Sequence, residues 1–489
     1  MADFRPHTSI KICTALALWG TAGSAVMAQH IWLDPRVEGR LTVTDNSLLT
    51  LKDRKSDVVF NVSAGLNMRI EGARTRGAVD YSLDYLYFGS DGGEEWRQNL
   101  FGTIDSEVWK DHLTLGARAS LQQQFLDQRG GLSNNFANRT SNRRLLQTYT
   151  SSAILKGGIR EIADWRVSYR FGISRTPADN LADETIRVNF SDTTSHEIVA
   201  SLGSGERFNN FSWRFFANSS RVLRSLNVNN FRKESAGGEI TYKFNRFIAL
   251  TGSVNMSSND FQSATLSEDG FGWEAGFRWT PGRKLDVAVR TGREGNRETW
   301  FASVQHFFSV RLDFRGTYQD IITANALVTN DNIQNFQFDP DKGLVDAQGL
   351  PIDESDPRFS YSDTDFRRQV AQGTLTWRHR RTDVYFNGTM EWRTFDDGSG
   401  TARTWGVSSG FRHKINKNTT LSGATSYRRS RFQNVTRTDN IIDTSLDWSK
   451  TISRYFKAVI GYKHSERQSS EPGADLEENS LTFYLRGTF

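Results

Sequence analysis

Val58-Val59-Phe60-Asn61-Val62-Ser63-Ala64-Gly65-Leu66-Asn67-Met68-Arg69-Ile70 alternates almost without fault. Val58, Phe60, Val62, Ala64, Leu66, Met68 and Ile70 are apolar, and the residues between them are mostly polar or small. Around a helix this set would scatter over the whole circumference; on a strand it makes one apolar and one polar face. The run is also long enough for a tilted strand to cross a bilayer, which takes about 9–11 residues.

The pattern does not stop there. It recurs at Val79, Tyr81, Leu83, Tyr85 and Tyr87, at Leu113 to Leu121, at Trp165 to Ile173, and at Phe271 to Trp279. About 22 such segments follow one another, from 36–44 and 57–70 at the start to 454–464 and 479–489 at the end. Tight links such as Glu71-Gly72-Ala73, Asn245-Arg246 and Pro281-Gly282 fall after even-numbered segments, and the longer ones, including 126–144, 175–192 and 320–366, after odd-numbered ones. Short turns at one rim, longer loops at the other and an even strand number describe a bacterial transmembrane barrel. The expected fold is all-β: an antiparallel up-and-down barrel of about 22 strands within an even range of 18–22, spanning 29–489, with no helix and a long outer loop at 320–366. Trp165, Trp213, Trp279, Trp377 and Trp448 near one rim, and Trp273, Trp300, Trp392 and Trp405 near the other, suit two interfacial girdles.

Composition fits this class better than any other. The 489 residues are 37% hydrophobic yet 12% aromatic, with 40 glycines, 8 prolines and a formal charge of +5. Averaging over an alternating strand hides its apolar half, and interleaved acids and bases give no nucleic-acid footprint. Residues 1–28 have a basic start at Arg5 and Lys11, an apolar run from Ile12 to Trp19 and small-residue spacing at Val26-Met27-Ala28, as a cleavable secretory signal does. The single cysteine, Cys13, lies inside it, so the mature chain is expected to have no disulfide or thiolate metal site.

If the apolar rows face lipid, the rows between them line the lumen. The candidate lining residues are Arg118, Arg166, Arg170, Arg214, Arg278, Arg290, Tyr385, Arg412, Tyr484 and Arg486, joined by Arg311, Arg315, Arg393, Phe216 and Phe301 and facing acids such as Asp80, Glu274 and Glu391. Guanidinium, hydroxyl and amide groups can hydrogen-bond sugars or attract acidic ones, and an aromatic face can stack on a pyranose; interleaved charges also simply keep a wide lumen wet. Barrels of this width are usually plugged, as TonB-dependent transporters are, but here the first strand follows the leader closely and no plug domain is expected. The 320–366 loop, acidic at Asp331, Asp339, Asp341, Asp346, Asp353, Glu354 and Asp356, either folds inward as a gate or stands outside as a surface epitope.

Enzymatic readings dissolve. Gly406-Val407-Ser408-Ser409-Gly410 matches G-x-S-x-G but lies within a strand, where the motif's strand-to-helix elbow cannot form. The histidines are scattered with no metal-ligand spacing, so neither enzyme activity nor a cofactor or metal is expected.

Two resemblances remain. The last strand, with Leu481, Phe483, Leu485, Gly487 and Phe489 in phase, resembles the C-terminal signal read by the barrel-assembly machinery; Phe483, Leu485 and Phe489 carry it, and Gly487 stands where a larger apolar residue is usual. Val43-Thr44-Asp45-Asn46, Ser56-Asp57, Glu71-Gly72-Ala73-Arg74 through Leu83, and Leu113 to Gln124 resemble an outer-membrane β-barrel family associated with PEP-CTERM (exosortase) systems and exopolysaccharide gene clusters. The alternation of short and long links puts both termini on the periplasmic side; the resemblance implies a place in the Gram-negative cell outer membrane and a part in making or exporting an extracellular polysaccharide. Outer-membrane lipid, lipopolysaccharide, the assembly machinery, the polysaccharide and periplasmic export proteins would be its partners. A general or sugar-uptake porin, and a barrel sheath around a periplasmic partner, are the alternatives.

Overall fold

The structure, a computed structural model, describes residues 30–51, 53–125, 127–140, 142–177, 191–226, 229–260, 269–339, 343–345, 363–433 and 435–489. The expected signal segment 1–28 and Cys13 lie outside them, as do residues 340–342 and 346–362 of the long loop, with Asp341, Asp346, Asp353, Glu354 and Asp356.

The chain runs through β1 (His30–Thr44), β2 (Asp57–Glu71), β3 (Thr75–Phe88), β4 (Glu94–Trp109), β5 (Leu113–Phe125), β6 (Arg143–Ile159), β7 (Ala163–Arg175) and β8 (Thr193–Ser204). It continues with β9 (Phe211–Arg224), β10 (Phe231–Lys243), β11 (Ile248–Asn259), β12 (Gly270–Gly282), β13 (Leu285–Glu294), β14 (Arg297–Phe307) and β15 (Leu312–Thr323). A helix α1 (Asn325–Asn335) and a small hairpin of β16 (Gln337–Asp339) and β17 (Gly343–Val345) interrupt the series. The remaining strands are β18 (Phe366–His379), β19 (Thr382–Phe395), β20 (Thr401–Lys414), β21 (Thr419–Arg431), β22 (Thr438–Thr451), β23 (Phe456–Ser469) and β24 (Leu476–Thr488).

Among the described residues, 22 of these strands form one sheet in which each pairs antiparallel with the barrel strands before and after it, β15 with β18 across the helix and small hairpin. The first and last strands also pair, from Arg36↔Thr488 to Thr44↔Ser480, so the sheet closes on itself. Closure matters because a sheet edge in hydrocarbon would leave its backbone groups without partners. β1 starts at His30, earlier than the expected 36. Residues 30–34 pair with β2 alone, and Pro35 sits where the β1–β24 ladder ends: its carbonyl accepts from the Phe489 amide, and the N–H that proline lacks falls at the end of the ladder.

Alternation sorts the two faces. On β2, Val58, Phe60, Val62 and Leu66 are exposed on the outside, while Asp57, Asn61 and Ser63 are buried on the inside. The expectation of no helix is corrected by α1. Its first half is buried, and Asn330 and Gln334 bond to Ser195 and Thr150 on the inner face of β8 and β6. A segment joining β15 to β18 can touch β6 to β8 only by crossing the lumen. The start of the long loop therefore lies within the barrel, the inward of its two expected placements.

Candidate functional site

The lumen is narrowed by two of the barrel's own connections, both at the long-loop rim. In the first, β15 leaves β14 above the Ala302↔Tyr318 pair while staying with β18 as far as Thr323↔Phe366. Asp320 bridges the parted strands: its carboxylate has no solvent exposure and receives Arg297 at 2.5 Å and Arg367 at 2.5 Å. The freed end of β15 leans inward, so that Ile322, Ala324, Ala326 and Leu327 pack with Val222 of β9 and Phe231 of β10. From there α1 reaches the opposite wall. Asn330 donates to Ser195 Oγ at 2.7 Å, Gln334 to Thr150 Oγ1 at 3.0 Å, and Arg170 Nη2 meets Asp331 Oδ1 at 2.6 Å. Gly172 makes the approach possible, since a Cβ there would lie 2.5 Å from Ser195 Oγ and collide with the Asn330 amide.

Where the chain returns to the barrel, Asp365 pairs with Arg224 at 2.5 Å and Asp363 accepts from the Ser191 amide at 3.0 Å. Burial pushes both carboxyls above the usual aspartate range, against the opposing pull of Ser191 on Asp363 and of Arg224 on Asp365.

The second connection, 126–142 between β5 and β6, reads in the sequence only as one of the longer links at this rim. It folds over the half of the mouth bounded by β22 to β24 and β1 to β4. Leu132 packs with Leu49, Phe125, Ile441 and Leu476. The buried carboxylate of Glu478 on β24 organises it, accepting from Asn135 Nδ2 at 2.6 Å, Asn138 Nδ2 at 2.9 Å and Thr44 Oγ1 at 2.7 Å, and also from Ser133 Oγ. Lys463 donates to Asn134 O at 2.6 Å, and Phe136 lies beneath Arg40 and Arg97, 5.4 and 5.0 Å from their guanidinium carbons.

Below these segments the wall is a field of arginine. In an antiparallel ladder directly opposed residues share a face. Register therefore places Arg118 beside Thr103 and Thr150, and Arg166, Arg170, Arg214, Arg278, Arg290, Tyr385, Arg412, Tyr484 and Arg486 on that same inner face. Arg311 is the exception: it sits in the 308–311 turn, where its Nη1 meets His379 Nδ1 at 3.0 Å. Several inner carboxylates serve two guanidiniums each. Glu38 holds Arg40 and Arg486, Glu239 holds Arg214 at 3.0 Å and Arg290 at 3.7 Å, and Glu391 holds Arg368 at 3.0 Å and Arg393 at 2.5 Å. Each such cluster carries a net positive charge. Aromatic faces lie among them: Arg290 stands 4.8 Å over Phe301, and Tyr484 lies beneath both Arg40 and Arg486. The Tyr385 ring lies against Gly410, where a Cβ would be 2.5 Å from it, so Gly410 serves the packing of β19 on β20, and Gly406 lies against the backbone of β21.

The candidate assembly residues Phe483 and Leu485 are exposed on the outer face, and Phe489 stacks on Tyr455 while its amide donates to Pro35 O at 2.9 Å. Among the described residues no group of histidine, cysteine, aspartate or glutamate could hold a metal ion.

Comparison with known proteins places this geometry. Residues 357–489 match the family described as "Putative beta-barrel porin 2". No curated protein sequence matches. Among solved structures, a mutant of the ferric enterobactin receptor PfeA of Pseudomonas aeruginosa is 10% identical at a TM-score of 0.49, over 94% of this chain and 80% of that one. The siderophore receptor PirA of Acinetobacter baumannii is 8% identical at 0.46, over 93% and 80%. The FrpB iron transporter of Neisseria meningitidis is 10% identical at 0.47, over 94% and 81%. The closed barrel with its apolar outer wall, together with the porin profile, makes this protein an outer-membrane β-barrel. Among the described residues it has no plug domain; its own loops occupy the lumen.

Proposed function

We propose that the barrel conducts an acidic, hydroxyl-rich polymer, an extracellular polysaccharide, outward across the outer membrane. The observation that carries the reading is the inner wall, where glutamates each serve two guanidiniums and leave positive clusters beside aromatic faces. Such clusters draw in an anionic chain without holding it at a single tight site, which is what passage requires. The long-loop rim faces outside and both termini face the periplasm, where export proteins would deliver the chain; lipopolysaccharide surrounds the outer rim and the assembly machinery inserts the barrel. The lumen is a channel and not a catalytic centre. α1 and the 126–142 connection are its gate.

Deleting the gene and measuring surface polysaccharide tests the export reading: a loss supports it, and unchanged export refutes it. The porin profile favours a second reading, a diffusion porin. Purified protein in a planar bilayer separates the two, because a large, steady, sugar-permeable conductance without export partners belongs to the porin.

A further inference from the structure

Three arginines sit on the wrong side of the wall. Arg403 on β20 and Arg429 and Arg431 on β21 are exposed and share the outer, lipid-facing side with Trp405 and Val407. Register sets them in two adjacent rows. Trp392, Arg403, Arg431 and Thr438 lie across one level, and Met390, Trp405, Arg429 and Asn440 across the next. Arg403 and Arg431 are direct cross-strand partners, a like-charge pairing that destabilises a sheet unless an anion offsets it. Among the described residues none supplies one: these three guanidiniums have no carboxylate partner, and the rows on either side carry only Trp392, Met390, Thr438 and Asn440. Arginines facing the lumen, by contrast, are repeatedly paired with acids.

Directly below this cluster the wall is hollow. Gly316 on β15, Gly373 on β18 and Gly388 on β19 are successive partners in one level, where three adjacent strands contribute no side chain of their own; the Phe314 ring leans over Gly316 and Gly373, and Gly388 is open. They form the floor of an outward groove of about 540 Å³ whose sides include Met390, Trp405 and Val407. Trp405, packed 5.2 Å from Tyr427, thus stands between the arginines and the groove, at the level where amphipathic rings mark a membrane interface.

We propose that this surface binds one phosphorylated acyl lipid of the surrounding leaflet, its phosphate held by Arg403, Arg429 and Arg431 and an acyl chain laid in the glycine-floored groove. Guanidiniums grip phosphate through paired, charge-assisted hydrogen bonds, and the site joins that charge to an apolar trough as the lipid joins its headgroup to its chains. The site rests on the barrel lying in a membrane and not on what passes through its lumen.

Full-length protein in detergent is titrated with bis-phosphorylated lipid A, with its phosphate-free form and with inorganic phosphate, and bound lipid is counted by native mass spectrometry. Wild type retains one bis-phosphorylated lipid and prefers it to the phosphate-free form by about tenfold or more, the scale of a charge-assisted contact. Arg403→Gln/Arg429→Gln/Arg431→Gln loses that preference. Gly388→Leu weakens retention while keeping the preference, because its side chain enters open space, with nothing within 4 Å of the new Cβ, and fills the trough. Inorganic phosphate does not displace the lipid. Equal binding of the phosphate-free form, displacement by inorganic phosphate, or unchanged binding by the triple variant overturns the site. Should the triple variant not fold, Arg429→Gln alone reads the same loss, and unchanged retention by it is equally fatal.

Discussion

Gly172→Leu attacks the contact by which α1 holds the lumen narrow. The glycine lies on the inner face of β7 directly under Asn330, and any side chain there displaces that residue from Ser195. The loss is calculable from what Asn330 does. Its hydrogen bond to Ser195 contributes about 1 kcal/mol, and stranding its buried amide costs about 1–3 kcal/mol more. The Asp331–Arg170 pair adds less, since Asp331 is 59% exposed, and contributes under about 1 kcal/mol. Release of α1 is therefore favoured by about 2–4 kcal/mol, a shift of about 30- to 1000-fold in the ratio of closed to open channel. Single-channel recording in a planar bilayer measures it as a longer open time and a larger unitary current, while migration of the unheated barrel on a gel verifies that the wall is intact. An intact Gly172→Leu barrel with wild-type conductance would refute the assignment of α1 as the gate.

Two further outcomes follow from the connections at the mouth. Glu478→Ala strands the donors of Thr44, Ser133, Asn135 and Asn138, at a cost of about 3 kcal/mol or more. The 126–142 connection should then become cleavable by trypsin at Arg139 in reconstituted protein; continued resistance would show that it is held by other means. The pH response follows from Asp363 and Asp365, whose carboxyls burial raises while Ser191 holds Asp363, Arg224 holds Asp365 and Asp396 stands near the latter. A raised carboxyl binds its proton more tightly in the closed arrangement than when released, so closure is strongest in acid and weakens as pH rises from the usual aspartate range through the raised one. Conductance rising with pH over that window, and flattened by Asp363→Asn/Asp365→Asn, is the expected record; a channel that opens on acidification reverses the sign.

The wall was legible because alternation is a local property. A residue's face is fixed by counting from its neighbour, and lipid demands the same answer at every second position, so the strands from 57–70 to 479–489 could be read one at a time. The inner face was legible for the same reason, which is why Arg170 and Arg290 could be placed before their partners were known. The helix inside the barrel obeys no such rule. Asn325 to Asn335 shows weak helical periodicity, and Ala324 at its N-terminus makes no side-chain cap bond. An isolated segment of this length would scarcely be helical in water. It is a helix because Val222, Phe231 and Ser195, more than 90 residues away in the chain, give it something to bury against.

The 126–142 connection shows the same limit more sharply. Gly130-Gly131 and the asparagines at 134, 135 and 138 read as a solvated loop, and by composition they are one. What turns the loop inward is a carboxylate some 340 positions later, Glu478, which would keep Thr44 as its one hydrogen-bond donor among those named if Ser133 and the asparagines did not come to it. In an alternating strand a buried acid and a solvated one look alike, so the need that positions the loop is invisible until β24 is paired with β1 and the ring is closed. Closure thus does two things at once. It gives every strand edge a partner, and it brings Glu478 and Thr44 together at 2.7 Å on one inner wall, creating the site into which the loop folds.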